Sequence, residues 1–222
     1  MTEDAFWDFS FHYQQLMLRY EMAIKCVTTR LEMIERECVV NGWHSVIRFI
    51  TSRVKEPISI HRKLSKLGVP VTESAITQRL SDVAGVRVVC SYLSDIYSVR
   101  NELLKDGQLK LLREKDYIKT PKPNGYRSLH LIVSVPVSLS KGVVEVPCEI
   151  QLRTTAMDSW AALEHQLRYK GKLPPNATYS DELLQCAQAL AQTDEQMQKI
   201  ADAVREGYAP KEEAGMANPD LE

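Results

Sequence analysis

Two acidic residues, Asp82 and Glu149, stand at the borders of apolar runs among many cations: Arg53, Lys55, Arg62, Lys63, Arg87, Lys115, Lys119, Lys122, Arg127 and Arg153. That inventory suits Mg²⁺-dependent transfer from a nucleoside triphosphate. Mg²⁺ takes one or two carboxylates plus phosphate oxygens, and Lys and Arg neutralise the remaining charge. Glu149, Gln151 and Arg153 alternate with Ile150 and Leu152, so the polar groups share one face of a strand and the apolar pair faces the core. Flanked by Val144, Val146 and Cys148, those polar groups are costly to bury unless something binds them. A second stretch, from Arg113 to His130, is a basic loop punctuated by Pro121, Pro123 and Gly125, with Tyr126 between Gly125 and Arg127. It feeds the apolar run Leu129 to Val137. Cations and an aromatic platform at a strand mouth suit the phosphates and base of a nucleotide.

Each signal has a plainer counterpart. Asp before a Gly-containing bend is commonly a turn residue or cap, and Arg62, Lys63 and Lys66 read equally well as a solvated helix face. Arg87 interrupts a Val-rich run, so it marks either an exposed sheet face or a contact with a bound anion or base. His130 and His165 lack the i, i+4 partner of a zinc helix, and either reads as a hydrogen-bonded structural histidine. Neither a Gly-x-x-x-x-Gly-Lys-Ser/Thr loop nor a Gly-x-Gly-x-x-Gly fingerprint occurs, which disfavours P-loop NTPases, Gly-rich-loop kinases and dinucleotide dehydrogenases.

The elements that must position these residues follow from periodicity. Between Asp4 and about Val40 there is no Gly or Pro, and Phe9, Tyr13, Leu16, Tyr20, Val27, Leu31 and Ile34 recur at helical spacing. This predicts one long amphipathic helix, or a broken pair, stopped near Asn41-Gly42. Val46–Lys55 reads as a strand ending in basic residues, Pro57 opens a helix through Leu67, and Thr72 caps another to Leu80. A buried strand follows Asp82. Ser94 is expected to cap a helix to about Lys105, Gln108–Leu112 to form a strand, and Thr154 or Thr155 to start a helix through Tyr169. A linker follows from Lys170 to Pro175, then an acidic amphipathic helix from Asp181 to Glu206 and a disordered tail over 209–222.

Length and charge bound the rest. The chain has 222 residues, 44% hydrophobic and 26% charged, with a net charge of −1, enough for one sizeable core. Charge is segregated into a basic stretch over 46–70 and an acidic end after Asp181, which suggests a local anion site rather than a general polyanion surface. Five widely spaced cysteines with no Cys-x-x-Cys pair disfavour a disulfide framework or structural zinc and fit a reducing cytosol. No apolar run approaches a membrane span and no leader is evident, so the expectation is a soluble cytoplasmic protein.

Four ordered motifs are specific when taken together: Asp82-Val-Ala-Gly-Val-Arg87, the loop from Lys115 to His130, Glu149-Ile-Gln-Leu-Arg-Thr154, and Trp160-Ala161 to Glu164-His165. They resemble, in family order over residues 46–170, the GTP pyrophosphokinases of the Rel/SpoT type, and the chain is similar to a stand-alone small alarmone synthetase. The resemblance implies an α+β fold, a nucleotidyltransferase-like mixed β-sheet surrounded by helices, with long N- and C-terminal helices. It divides the chain into an N-terminal helical region (1–42), a synthetase core (43–172), a C-terminal helix (173–208) and the tail. It implies transfer of pyrophosphate from ATP to the 3′-hydroxyl of GDP or GTP with release of AMP.

Carried onto matching positions, the resemblance makes Asp82 and Glu149 the Mg²⁺ ligands, with Glu149 placed to receive the 3′-hydroxyl proton. Arg53 and Arg87 would stack on adenine, and Lys55, Arg62 and Lys63 would neutralise the ATP phosphates. Tyr126 would stack on guanine, with Lys119, Lys122, Arg127 and His130 around the acceptor's phosphates and ribose. Lys115, Gln151, Arg153, Glu164 and His165 match the motifs in supporting roles; a surface pair with Arg168 is the plainer account of Glu164. Asp158 stands where related synthetases often carry Asn, on the guanine side. The resemblance also implies a homotetramer. Toxin-like relatives that use adenine nucleotides or the tRNA 3′ end, and a module binding single-stranded RNA or a guanine-nucleotide effector, are the competing readings; retention of both carboxylates opposes a purely binding role.

Overall fold

The Val-rich runs around Arg87 and Gln151 form the middle of a mixed sheet. The structure, a computed structural model, describes residues 3–170 and 179–207, with side chains described for 12–167 and 179–207. Its strands are β1 (Ile47–Val54), β2 (Ala84–Cys90), β3 (Lys110–Asp116), β4 (Leu129–Leu139) and β5 (Gly142–Thr154), ordered β1-β2-β5-β4-β3. β2 and β5 run parallel; the other neighbours are antiparallel.

Register turns scattered sequence positions into rows. One row crosses all five strands as Arg53, Gly85, Glu149, Ile132 and Arg113, and the next as Thr51, Arg87, Gln151, His130 and Lys115. Residues two apart on a strand share a face, so both rows lie on the same side of the sheet. Val86, Val88, Ile150, Leu152, Leu129 and Leu131 occupy the opposite side and are fully buried.

That apolar side is covered by α1 (Glu3–Val40), one continuous helix packed on β1, β2, β4, β5 and α4 (Leu93–Leu104). Leu16, Tyr20, Ala23, Val27, Leu31 and Ile34 bury its inner stripe. The helix stops at Gly42, whose φ of 77° lets the Trp43 N–H return to the Cys38 carbonyl at 2.9 Å. Pro57 opens α2 (Pro57–Lys66), and Thr72 caps α3 (Glu73–Arg79) by accepting from the Ala75 N–H at 3.1 Å. Thr154 caps α5 (Thr155–Lys170) through the Met157 N–H, and α6 (Tyr179–Gly207) packs on α5 and α4. The expected α+β fold, a mixed sheet surrounded by helices, is the one found.

Two expectations shift. Ser94 does not cap α4. The helix begins after Tyr92, whose N–H is met by the Asp95 carboxylate, and Ser94 gives its own N–H to Gln198 of α6 at 2.9 Å. The strand expected over Gln108–Leu112 instead runs from Lys110 to Asp116, with nearly every residue exposed because β3 is an edge strand. Of the linker expected over 170–175, Lys170 instead ends α5, and residues 171–175, like the tail expected over 209–222, lie outside the described residues.

Candidate active site

Two cavities, each of about 260 Å³, open on the polar side of the sheet. Arg53, Lys55, Arg87 and Gln151 line the first, beside Gly85. Lys63, Arg113, Lys115, Tyr117, Lys122 and His130 line the second. Asp82 and Glu149 line both. The row geometry explains the partition: β1 and β2 supply one cavity, β3 and β4 the other, and β5 runs between them.

Asp82 lies just before β2, held alongside the extension of β1 by the Lys55 N–H donating to the Val83 carbonyl at 2.8 Å. Its Oδ2 takes the ammonium groups of Lys55 and, at 2.7 Å, Lys63, while Oδ1 is buried without a hydrogen-bond partner. Burial pushes this carboxyl up, but hydrogen bonds and charge from both lysines outweigh it and hold the pKa below the ordinary value. A buried, unmatched carboxylate oxygen fits a hard cation. Among the described residues no group of three or more His, Cys, Asp or Glu is placed to hold a metal ion; Asp82 and Glu149 are the carboxylates that line both cavities.

Glu149 is held at both oxygens: Oε1 lies 3.2 Å from His130 Nδ1 and Oε2 accepts from Gln151 Nε2 at 3.0 Å. Burial again pushes the pKa up, and His130 and Gln151 pull it below the ordinary value against opposition from Asp82. An ionised carboxylate only accepts, so His130 carries its proton on Nδ1, and Nε2 is left to accept from the Tyr126 hydroxyl at 2.8 Å. The Tyr126 oxygen accepts in turn from Arg153 Nη2 at 2.7 Å. Arg153 is 4% exposed, and it also bonds Gln151 Oε1 at 2.9 Å and Asp158 Oδ1 at 3.1 Å. A continuous chain therefore joins Arg153, Tyr126, His130 and Glu149.

The loop that carries Tyr126 is preorganised. Asp116 Oδ1 accepts the N–H groups of Ile118 and Lys119, and its Oδ2 accepts the Tyr97 hydroxyl. Partial burial and the facing carboxylate push Tyr97 up to about 12. Lys122 sits 4.6 Å from the ring centroids of both Tyr117 and Tyr126.

Other expected residues fall elsewhere. Asp158 does not line the second cavity; its Oδ1 bridges Arg153 and, at 3.3 Å, Arg87. Arg127 lies behind the loop, lining a small cavity with Trp160, Ala187 and Asp194. Arg62 is exposed on α2, outside both linings. Lys119 pairs with Asp116 and lies over the Tyr97 ring at the rim of the loop. Glu164 accepts from Asn124 Nδ2 at 3.3 Å, tying the loop to α5, and the side chain of Arg168 lies outside the described residues. His165 is exposed on α5, outside both linings. Sequence reasoning passed over Tyr117 and Arg113 as site residues. The signal available for both was their place in the strand and turn leading into the loop, which is hidden by the polar look of β3.

Residues 52–173 match the family described as "Region found in RelA / SpoT proteins". GTP pyrophosphokinase YwaC of Bacillus subtilis is 42% identical over 188 residues, covering 85% of this chain and 90% of the relative. GTP pyrophosphokinase YjbM of the same organism is 33% identical over 199 residues, covering 89% and 92%. The crystal structure of small alarmone synthetase 2 from B. subtilis superimposes with a TM-score of 0.75 at 42% identity, covering 84% of this chain and 97% of that one. That of small alarmone synthetase 1 bound to its product pppGpp gives 0.79 at 32% identity, covering 87% and 98%. With more than half of its length inside the matched region and relatives this similar over most of both chains, the chain belongs to the RelA/SpoT family of GTP pyrophosphokinases.

Proposed function

We propose that the chain synthesises (p)ppGpp: it transfers pyrophosphate from ATP to the 3′-hydroxyl of GDP or GTP and releases AMP. The observation that carries this reading is the pair of cavities sharing Asp82 and Glu149, since a two-substrate transfer needs donor and acceptor to meet at one point. The first cavity takes ATP. Arg53 and Arg87, from adjacent strands, offer planar guanidinium faces to the adenine, Lys55 meets the phosphates, and Lys63, paired with Asp82 on the second cavity's lining, reaches them where the two cavities meet. The second takes the guanine nucleotide, with Lys115, Lys122 and His130 toward its phosphates and ribose; Tyr126, bonded to His130 and not itself on the cavity lining, is the stacking platform that the family resemblance implies.

Glu149, held as a carboxylate by His130 and Gln151, receives the proton of the attacking hydroxyl as the new bond forms at the β-phosphorus and AMP leaves. Asp82, with Glu149, would hold Mg²⁺, which when bound supplies charge neutralisation to the phosphate oxygens. The synthetase core is assigned to residues 43–172, with α1 in the segment before it (1–42) and α6 in the segment after it (173–208). A homotetramer would draw on apolar residues left exposed on α1 and α6, among them Met33, Val40, Met197 and Ile200. A cytoplasmic setting, where thiols stay reduced, suits the five free cysteines; among the described residues no helix is long and apolar enough to cross a membrane.

The test is incubation with ATP, Mg²⁺ and, separately, GDP, GTP, ADP or tRNA, with products resolved by anion exchange and AMP counted. AMP released in step with guanosine tetra- or pentaphosphate is the expected result, and Glu149→Gln should abolish it while ATP still binds. Transfer to ADP or tRNA alone, or a Glu149→Gln variant with normal turnover, would overturn the assignment.

A further inference from the structure

The contact between α6 and the Tyr126 loop is tighter than ordinary packing. Gly125 adopts a φ of 86°, and a Cβ built on it would fall 2.5 Å from the Ala187 Cβ and 3.2 Å from Leu184 Cδ1. Only glycine both takes this conformation and lets the helix come so near. The same stripe of α6 continues through Leu190 and Ala191 to Asp194, one turn at a time along one face. There Asp194 Oδ2 accepts from the Thr154 hydroxyl at 2.6 Å, at the end of β5 and the cap of α5. Trp160 of α5 fixes the height of α6 by donating Nε1 to the Leu183 carbonyl at 2.9 Å.

These contacts close a circuit. α6 touches the loop at Gly125, next to Tyr126, and touches β5 at Thr154, next to Arg153. The hydrogen bond from Arg153 to Tyr126 joins the two ends. A shift of α6 relative to β5 therefore moves the Tyr126 platform relative to Glu149, while the first cavity meets the circuit through the bonds of Arg153 to Gln151 and Asp158 and has no α6 residue on its lining.

We propose that α6 is the positioning element of the acceptor site, with Leu184 and Ala187 as the wall that sets where Tyr126 and Lys122 stand. Neither residue lines either cavity; both act through Gly125. The inference rests on the second cavity being the acceptor site, and the two fail separately: a wild-type protein that makes no guanosine polyphosphate ends the functional reading, whereas the results below bear on α6 alone.

Steady-state AMP release is measured for Gly125→Ala, Ala187→Gly, the double variant and Leu184→Ala, each with GDP and ATP varied in turn. Gly125→Ala should raise the acceptor KM roughly tenfold, as misplacement of a binding group does, with the ATP KM little changed. Adding Ala187→Gly should recover part of that loss, because it removes the methyl that the new Cβ meets. Leu184→Ala, which adds no bulk, keeps the test open where Gly125→Ala fails to fold, and it should raise the acceptor KM alone. By reciprocity, binding of GDP should slow amide exchange over residues 183–191, and a non-hydrolysable ATP analogue alone should not. Equal changes in both KM values, a double variant no better than Gly125→Ala, an unchanged acceptor KM in Leu184→Ala, or exchange in α6 indifferent to GDP would each overturn the proposal.

Discussion

Replacing Tyr126 by Phe separates two jobs that the ring and the hydroxyl perform. The hydroxyl accepts from Arg153 at 2.7 Å and meets His130 Nε2 at 2.8 Å, so Phe strips one bond from a buried guanidinium and one from the imidazole that holds Glu149. A hydrogen bond to a charged group contributes roughly 1.5–3 kcal/mol. Arg153 keeps Gln151 and Asp158, which places the loss near the lower end. If the transition state feels that loss through the orientation of Glu149, kcat falls roughly tenfold, since 1.36 kcal/mol corresponds to about one factor of ten. The ring is retained, so the acceptor KM should hardly move. Tyr126→Ala should in addition lose base stacking, roughly 1–3 kcal/mol, and raise the acceptor KM accordingly. The assay is initial-rate AMP release with GDP varied at saturating ATP. A Phe variant with normal kcat and an acceptor KM as high as that of Ala would refute the reasoning, because the hydroxyl would then be serving the base and not the catalytic carboxylate.

Asp82→Asn should leave Lys55 and Lys63 facing each other without their shared carboxylate, so turnover should collapse and raising Mg²⁺ should not restore it; recovery at high Mg²⁺ would show that the residue only tunes affinity. Asp158→Asn weakens the bridge between Arg87 and Arg153 and should raise the ATP KM more than the acceptor KM, the opposite of what a guanine-contacting residue would do. Asp82, Glu149 and Asp116 have pKa values held below the ordinary carboxylate range, by Lys55 and Lys63, by His130 and Gln151, and by the Lys119 and Ile118 N–H groups respectively. Depressed carboxylates contribute stability that is present above their unfolded pKa values and lost as pH falls through the folded ones, so urea unfolding should show little change from these groups at neutral pH and a steep loss in the acid range. Asp194 is the reverse case: burial pushes it up against Thr154 and Arg127, so its contribution is full at low pH and lost as pH rises through the folded value. Asp194→Asn should therefore gain stability over wild type at pH 7 relative to pH 4, and an unchanged difference between the two pH values would contradict that sign.

Local chemistry made much of the fold legible. The uninterrupted helical period before Gly42, Pro57 at the first position of α2, Thr72 three residues before Ala75 and the alternation over 149–153 all act through near neighbours, and each has the expected structural result. The misses came from partners far along the chain. Ser94 looked like a cap because Gln198, 104 residues away, is invisible locally. The second half of β3, Arg113–Asp116, looked like loop because an edge strand with both faces wet has no apolar alternation to read. Arg127 and Tyr126 are adjacent and equally suited to a nucleotide, yet Tyr126 faces His130 while Arg127 lies behind the loop toward Asp194. That division depends on where α6 docks, which spacing within the loop does not encode.

The sheet register accounts for why a motif family of this kind reads as separate islands. Arg53, Gly85 and Glu149 stand side by side across three strands although the first and last are 96 residues apart, and Arg87, Gln151 and His130 form the next row. Gly85 leaves the floor between Arg53 and Glu149 low: a Cβ there would have as its nearest neighbour the Arg53 carbonyl oxygen at 3.7 Å. A side chain at that point would meet no backbone clash, so folding alone does not demand glycine. Its advantage is space in the first cavity beside Glu149. Gly85→Val should therefore fold with a Tm close to that of wild type, since β-branched residues suit strands, and lose ATP binding measured by calorimetry. Preserved ATP affinity in a folded Gly85→Val protein would mean that the nucleotide does not use the floor between Arg53 and Glu149, and the donor cavity would have to be placed elsewhere.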